Sequence, residues 1–307
     1  MNMITTSIHM LAITLMCILA LLIQGCGTHR QSNKIRILAT TGIIGDVLRS
    51  SLDSNFEIDI LMKPGVDPHL YKATAGDVSR MLNADIIVHN GLHLEGKMSE
   101  VLHKLSAKKT VIAMSDQLPQ HSLRIVDGAH DPHLWFDIEL WRLALKGTLA
   151  TIERFYPVQC KSGKGKQAAY DNRLRNAHHL TDSLIECIPQ HRRYLITAHD
   201  AFGYFGEAYD IRVIGLQGMS TLSDFGMNDL MKIGELILHN QIRSVFVEMS
   251  IAPRSMEALM LNVTSRGGTV SIGGHLYADA LDSPEKQTGT YLGMIEHNVH
   301  TIVKALK

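Results

Sequence analysis

Asp-Pro-His-Leu occurs twice in the chain, at 67–70 within "GVDPHLYKATAGD" and at 131–134 within "DPHLWFD", in regions that otherwise show no repeat. Histidine is a nitrogen donor that is mostly neutral at pH 7. The proline before it fixes its own φ and confines the residue before that to extended backbone. The repeat therefore presents His69 and His133 on stiffened loops. A third imidazole, His199, follows the apolar run "RYLITA", and a carboxylate, Asp279, lies a few residues beyond "GTVSIG". Three imidazoles and one carboxylate make a complete four-donor shell for a first-row divalent cation. The nitrogens suit zinc, and the oxygen keeps manganese and iron open. The intervals between the four are far longer than in any local zinc-finger pattern. Only a fold could bring them together.

The elements that must do so are legible as short β-branched runs alternating with amphipathic stretches. Strands are expected at 35–40, 56–62, 85–90 and 110–114, and again at 193–198, 211–216, 244–249 and 268–273. Helical stretches such as "GDVLRSSL", "ATAGDVSRMLNA" and "FDIELWRLALKGTLATIERFY" separate them. Strands alternating with helices imply parallel sheets covered on both faces. Between the two sets lies "KQAAYDNRLRNAHHLTDSLIECI", one long helical pattern. The expected fold is α/β: two lobes, each a mostly parallel sheet flanked by helices, bridged by one long rigid helix. The lobes are placed at 34–163 and 190–307, with the linker helix at 164–189. All four candidate donors fall after strands, and ligands of open α/β sheets bind outside the carboxyl ends of strands.

Composition narrows the remaining options. The 307 residues are 45% hydrophobic and 20% charged with zero formal net charge, which suits a globular chain of about two domains and leaves no basic footprint for nucleic acid. Residues 10–23, "MLAITLMCILALLI", carry no charge and have the length of a secretory h-region, too short for a membrane-spanning helix of about 20 residues. Residues 1–25 are therefore read as an export signal and 26–33 as a polar tether. Cys26, preceded by Gly25 at the end of the apolar run, resembles the lipidated cysteine of a bacterial lipobox. Cys160 and Cys187 are separated by the long helix and are expected as free thiols, because its rise of 1.5 Å per residue holds them too far apart to bridge.

At the donor residues the chain closely resembles the metal-binding lipoproteins of bacterial ABC importers, the zinc/manganese solute-binding family, and within it the TroA-like branch. The stretches that carry the resemblance are "GVDPHLYKATAGDV", "NGLHLEGKM", "DPHLWFD", "TAHDAFGYF", "GLQGMST", "IGGHLYADAL" and "GTYLGMIEHNVHTIV". It implies an exported, lipid-anchored monomer, periplasmic or at the cell surface. One zinc, manganese or iron ion would be held between the lobes by His69, His133, His199 and Asp279 and delivered to a membrane permease.

Other readings are weaker on the residues. A catalytic zinc keeps three protein ligands and an open position, whereas a fourth ligand is available here, and no His-Glu-x-x-His helix occurs. Nothing in the sequence supports a surface adhesin with a structural metal. Asp200 and Glu248 are both candidates to accept a ring N–H from a ligand histidine. His178 and His179 read as a solvated helix face, and Met227, Met231 and Met256 as core filler.

Overall fold

The computed structural model describes residues 34–222 and 226–307. The export signal (1–25), the tether (26–33) and Cys26 lie outside the described residues. Residues 35–307 form one compact unit.

Strands β1 (Ile35–Ala39), β2 (Phe56–Ile60), β3 (Ile86–His89) and β4 (Thr110–Ala113) form a parallel sheet in the order β2-β1-β3-β4. Ile37, Leu38 and Ala39 of β1 and Ile86, Ile87 and Val88 of β3 are all buried, so neither face of the central strands meets water. Continuous apolar runs of this kind belong in a sheet covered by helices on both sides. The order reverses between β1 and β3, which places a topological switch point at their carboxyl ends, beside Thr40 and Asn90.

A small hairpin follows, β5 (Ile125–Val126) with β6 (Ala129–His130). Its turn, Asp127-Gly128, has positive φ at both residues (51° and 82°), as a tight two-residue hairpin turn requires.

In the second half, β7 (Tyr194–His199) pairs in parallel with β8 (Arg212–Gln217), and β9 (Ser244–Glu248) with β10 (Ser271–Leu276). β7 packs beside β9, which gives this half its own switch point between the ends of those two strands. Two details differ from expectation. The second half consists of two hydrogen-bonded parallel pairs, and β10 starts three residues later than the sequence pattern placed it. Gly267, at φ 82°, terminates the helix Arg254–Ser265, and Gly268 N–H returns to the Val263 carbonyl. The glycines that looked like the start of a strand are thus consumed in a helix C-cap.

The long helix spans Lys164–Glu186, about 34 Å for its 23 residues. Its buried residues Tyr170, Leu174, Thr181 and Ile185 lie on one stripe, facing helices from both halves: Gly42–Ser51, Ile138–Phe155 and Tyr291–Leu306. The end falls short of 189 because Pro189 disfavours helical backbone at Ile188. Cys160 is buried and Cys187 exposed, both free. His178 does not fit a solvated face: its Nδ1 lies 3.0 Å from the Tyr209 hydroxyl and ties the helix to the second half. Of the three methionines expected inside, only Met256 is buried; Met227 and Met231 are exposed.

One apolar cluster runs through both halves. It contains Ile37 and Val88 from the first sheet, Trp135 and Phe136 after the hairpin, and Phe202, Phe246 and Tyr291 from the second half. The rings of Phe136 and Phe202 stack at 4.2 Å across the junction. This continuity fixes the carboxyl ends of the two sets of strands against each other.

Candidate metal centre

His69 is carried by the loop after β2, His133 by the loop after β6, His199 by the last position of β7, and Asp279 by the loop three residues past β10. The structure brings all four together. One donor atom from each lies within 4.8 Å of every other, and all four residues are buried. His69 Nε2 is 3.3 Å from His133 Nε2. The Asp279 carboxylate is 3.2 Å from His199 Nε2 and 3.6 Å from both His69 Nε2 and His133 Nε2. Donors 2.0–2.1 Å from a tetrahedral zinc would stand about 3.3–3.4 Å apart, so the observed separations fit one small cation. His199 Nε2 and both Asp279 oxygens are buried, with the other donors of the shell as their polar neighbours. A cation at their centre would satisfy all of them together.

Each loop histidine is set by the aspartate of its own motif. Asp67 Oδ1 accepts the His69 backbone N–H at 2.8 Å, and Asp131 Oδ1 accepts that of His133 at 3.0 Å. The repeated Asp-Pro-His is therefore a local turn in which the acid caps the backbone N–H two residues on, while the proline stiffens the link. Asp131 goes further and lies 2.7 Å from His133 Nδ1, which leaves Nε2 to face the centre. Asp131 is completely buried and is itself gripped by Arg124. Glu248, at the end of β9, serves His199 in the same way: its Oε1 accepts the His199 backbone N–H at 2.9 Å and its Oε2 lies 2.5 Å from Nδ1. Of the two candidates for this role Glu248 takes it. Asp200, which follows His199 directly, makes no side-chain hydrogen bond to it, and its carboxylate feels the charges of Asp131 and Arg124 ahead of those of His133 and His199.

The junction between halves is tied at the site. Trp135, two residues after His133, donates its indole N–H to the Ala278 carbonyl at 3.1 Å, next to Asp279. Tyr291 donates to the Trp135 carbonyl at 2.7 Å. Thr221 donates to Asp67 Oδ2 at 2.6 Å, so one carboxylate holds both the His69 loop and a loop of the second half.

Burial and mutual charge set the protonation of the shell. Burial, only partly offset by the Asp279 carboxylate, pushes His69 down to about 4, so this ring is neutral and ready to donate at pH 7. Burial would lower His199 as well, but the Glu248 and Asp279 carboxylates outweigh it and hold the ring well above its ordinary value. For Asp279 burial favours the neutral acid, yet the surrounding imidazoles hold the carboxyl far below the usual range. A divalent cation would take over the position of the His199 proton.

Sequence reasoning missed Asp67 and Asp131 as hydrogen-bonding partners, although both stand in the repeated motif. It also missed Glu95, a buried carboxylate bonded to Asn90, whose amide reaches the Pro132 carbonyl, and for which only the stretch "NGLHLEG" offered a pointer.

These features define a class: an α/β protein with a buried, cation-sized shell of three imidazoles and one carboxylate where two sets of parallel strands meet. The family model described as ZnuA, zinc-uptake complex component A, periplasmic, matches residues 37–305, and the chain belongs to that family. It is 39% identical over 292 residues to the manganese-binding lipoprotein MntA of Bacillus subtilis, covering 93% of this chain and 95% of that one. It is also 39% identical over 298 residues to the zinc-binding protein TroA of Treponema pallidum, covering 94% and 97%. The solved structure of the Treponema pallidum periplasmic zinc-binding protein TroA superimposes with a TM-score of 0.86, covering 89% of this chain and 99% of that one.

Proposed function

We propose that this chain is the extracytoplasmic solute-binding component of a metal ABC importer. It captures one divalent transition metal ion on His69, His133, His199 and Asp279 and delivers it to a permease in the cytoplasmic membrane. The observation that carries the reading is the convergence of four buried donor atoms within 4.8 Å, at separations that suit one small cation. Membership of the zinc-uptake family and relatives named for manganese and zinc support the same cargo class. By the Irving–Williams order the three-imidazole shell holds zinc more tightly than manganese or iron, so supply decides which ion is carried as much as affinity does.

The chain works as a monomer held to the membrane by lipid on Cys26, consistent with an apolar leader that ends at that residue. Among the described residues no helix is long and apolar enough to cross a membrane. The four donors already complete a tetrahedral shell, which favours carriage over hydrolysis, since a hydrolytic zinc keeps one position for water. Nothing favours an adhesin.

The test is elemental analysis of mature protein purified from its native host beside a His199→Ala variant. Near one equivalent of a single metal, lost in the variant, is the expected result. No stoichiometric metal, and none taken up on re-titration, would overturn the reading.

A further inference from the structure

At the switch point of the first sheet, where doubly wound folds leave a crevice, the structure places a carboxylate. Glu95 is 2% exposed. Its Oε1 accepts from the Thr40 hydroxyl at the end of β1 (2.6 Å) and from the Asn90 backbone N–H at the end of β3 (2.9 Å). Its Oε2 lies 3.8 Å from His89 Nδ1. Burial works against its ionisation, yet the His89 ring and the bonds from Asn90 and Thr40 hold its pKa below the usual carboxylate value. A buried charge persists only where its surroundings compensate it.

The chain bends sharply to bring this carboxylate back. Gly91, Leu92 and His93 all have positive φ (87°, 50° and 62°), a region that Leu and His rarely occupy. A Cβ on Gly91 would meet Ser115 Oγ at 2.1 Å, so that position accepts no side chain. Strain of this kind is retained when the surrounding structure over-determines it, commonly at functional sites.

Asn90 is 1% exposed and donates its side-chain amide to the Pro132 carbonyl at 2.8 Å and to the Gly91 carbonyl at 3.2 Å. Pro132 is the residue before His133. The second half offers a parallel: Glu248, buried at the switch point between β7 and β9, accepts the backbone N–H of His199 at the end of β7. Glu95 accepts the backbone N–H of Asn90 at the end of β3 in the same way, but no metal-facing histidine stands there. The ligand is one step further on, across Asn90 and Pro132.

We propose that Glu95 and Asn90 are positioning residues for the metal centre: anchored at the first switch point, they hold the Pro132 carbonyl and thereby set the His133 ring before metal arrives. Asp131 fixes His133 from its own loop, and the Glu95–Asn90 relay fixes that loop against the sheet. The proposal rests on the reading of His133 as a metal ligand, and the test separates the two.

Asn90→Ala and Glu95→Ala are compared with wild type and with Glu95→Gln, whose amide oxygen can accept the same two bonds. In metal-free protein, imidazole ¹⁵N signals are recorded. The His133 ring is expected to shift in both alanine variants, the His199 ring to stay, and Glu95→Gln to restore the wild-type His133 signal. With cobalt(II) as probe, the alanine variants should bind about 10- to 100-fold more weakly, the range known for removal of a ligand's outer partner. Their d–d bands should change in energy and intensity. Unmoved His133 signals in both alanine variants would overturn the proposal. So would cobalt spectra identical to wild type, even with lowered melting temperatures, since a merely structural role leaves the coordination geometry intact. Wild type that binds no cobalt(II) while the His133 shift persists would overturn the metal-carrier reading and the relay's role in a metal centre, leaving only its hold on the His133 ring.

Discussion

His199 is the last residue of β7, whereas His69 and His133 are carried on loops beyond their strands. The strand-borne histidine inherits its position from the sheet and has one outside partner, Glu248 on the neighbouring strand. The loop-borne histidines have no such frame and carry their own: an aspartate two residues earlier that caps the backbone, with a proline between. His133 has further support from Arg124 behind Asp131, while His69 shares its aspartate with Thr221 of the other half. A histidine far from regular structure is thus held by more polar partners, its own aspartate next to it in sequence and Arg124 or Thr221 from further away.

The largest test of this comparison removes what both kinds of ligand share. Asp279 contacts all three imidazoles and is the shell's one anion, so Asp279→Ala should weaken zinc binding by well over about 100-fold, beyond the range for outer partners. Competition titration against a chelator reads it, and near-wild-type affinity would mean that the shell does not act as a unit.

Next in size, Asp131→Ala and Glu248→Ala should each cost about 10- to 100-fold. Asp131→Ala should be the worse of the two, because it removes a backbone cap, a ring contact and the Arg124 pairing together. If Glu248→Ala proved clearly worse, the loop histidines would not depend on their motif as described.

Smaller again is the pH response of the metal-free protein. His69 is held at about 4 in the fold against 6.5 in the free chain, so between those values the unfolded state binds the extra proton. Stability therefore falls as pH drops from about 6.5 to about 4. His199 has the opposite sign: its raised pKa contributes stability in full below 6.5, lost only as pH rises through its folded value, so it does not mask the acid-side fall. Melting temperatures of the metal-free protein across this window check the slope, and His69→Gln should flatten it.

The smallest effect is expected at Thr221→Val, which deletes the bond to Asp67 but leaves the His69 cap. Equilibrium affinity should change by less than about fivefold, in keeping with the ~1 kcal/mol or less of a single partly exposed hydrogen bond. Stopped-flow release to a chelator should be faster. Unchanged release would show that the bond between halves does not govern escape.

How far the sequence discloses this site follows from what each part depends on. The four candidate donors stand out because the Asp-Pro-His repeat is local and alternating elements place strand ends, and because the chain resembles the zinc/manganese solute-binding family at these residues; spacing alone does not single them out. Glu248 could only be paired as a candidate with Asp200, since the choice depends on which side of β7 each residue faces and on β9 lying beside β7. Both are tertiary facts. Asp67 and Asp131 stood in plain view, but their role as caps needs the turn geometry that Pro132 and its counterpart impose. Glu95 had only the stretch "NGLHLEG" to point to it, because its role depends on the backbone reversal at 91–93 and on the Asn90 bond to Pro132, which the sequence does not display. The hairpin at Ile125–His130 was missed because strands of two residues have no periodicity, although its Asp-Gly turn is a known marker. The late start of β10 shows the reverse error, glycines that end a helix being read as the beginning of a strand.

The chain has two tryptophans, and both lie in one cluster: Trp135 stands edge-on to His133 with ring centroids 5.4 Å apart, and Trp141 is 6.4 Å further on. All indole emission from this protein thus originates beside one imidazole. At such separations the two indoles share excitation, so light absorbed by either is reported from the same place. A change of charge on His133, whether a proton or an ion, alters the field across Trp135 directly. If His133 takes an ion as proposed, indole emission is an optical gauge of occupancy, by which loading and unloading can be followed in real time without attaching a dye.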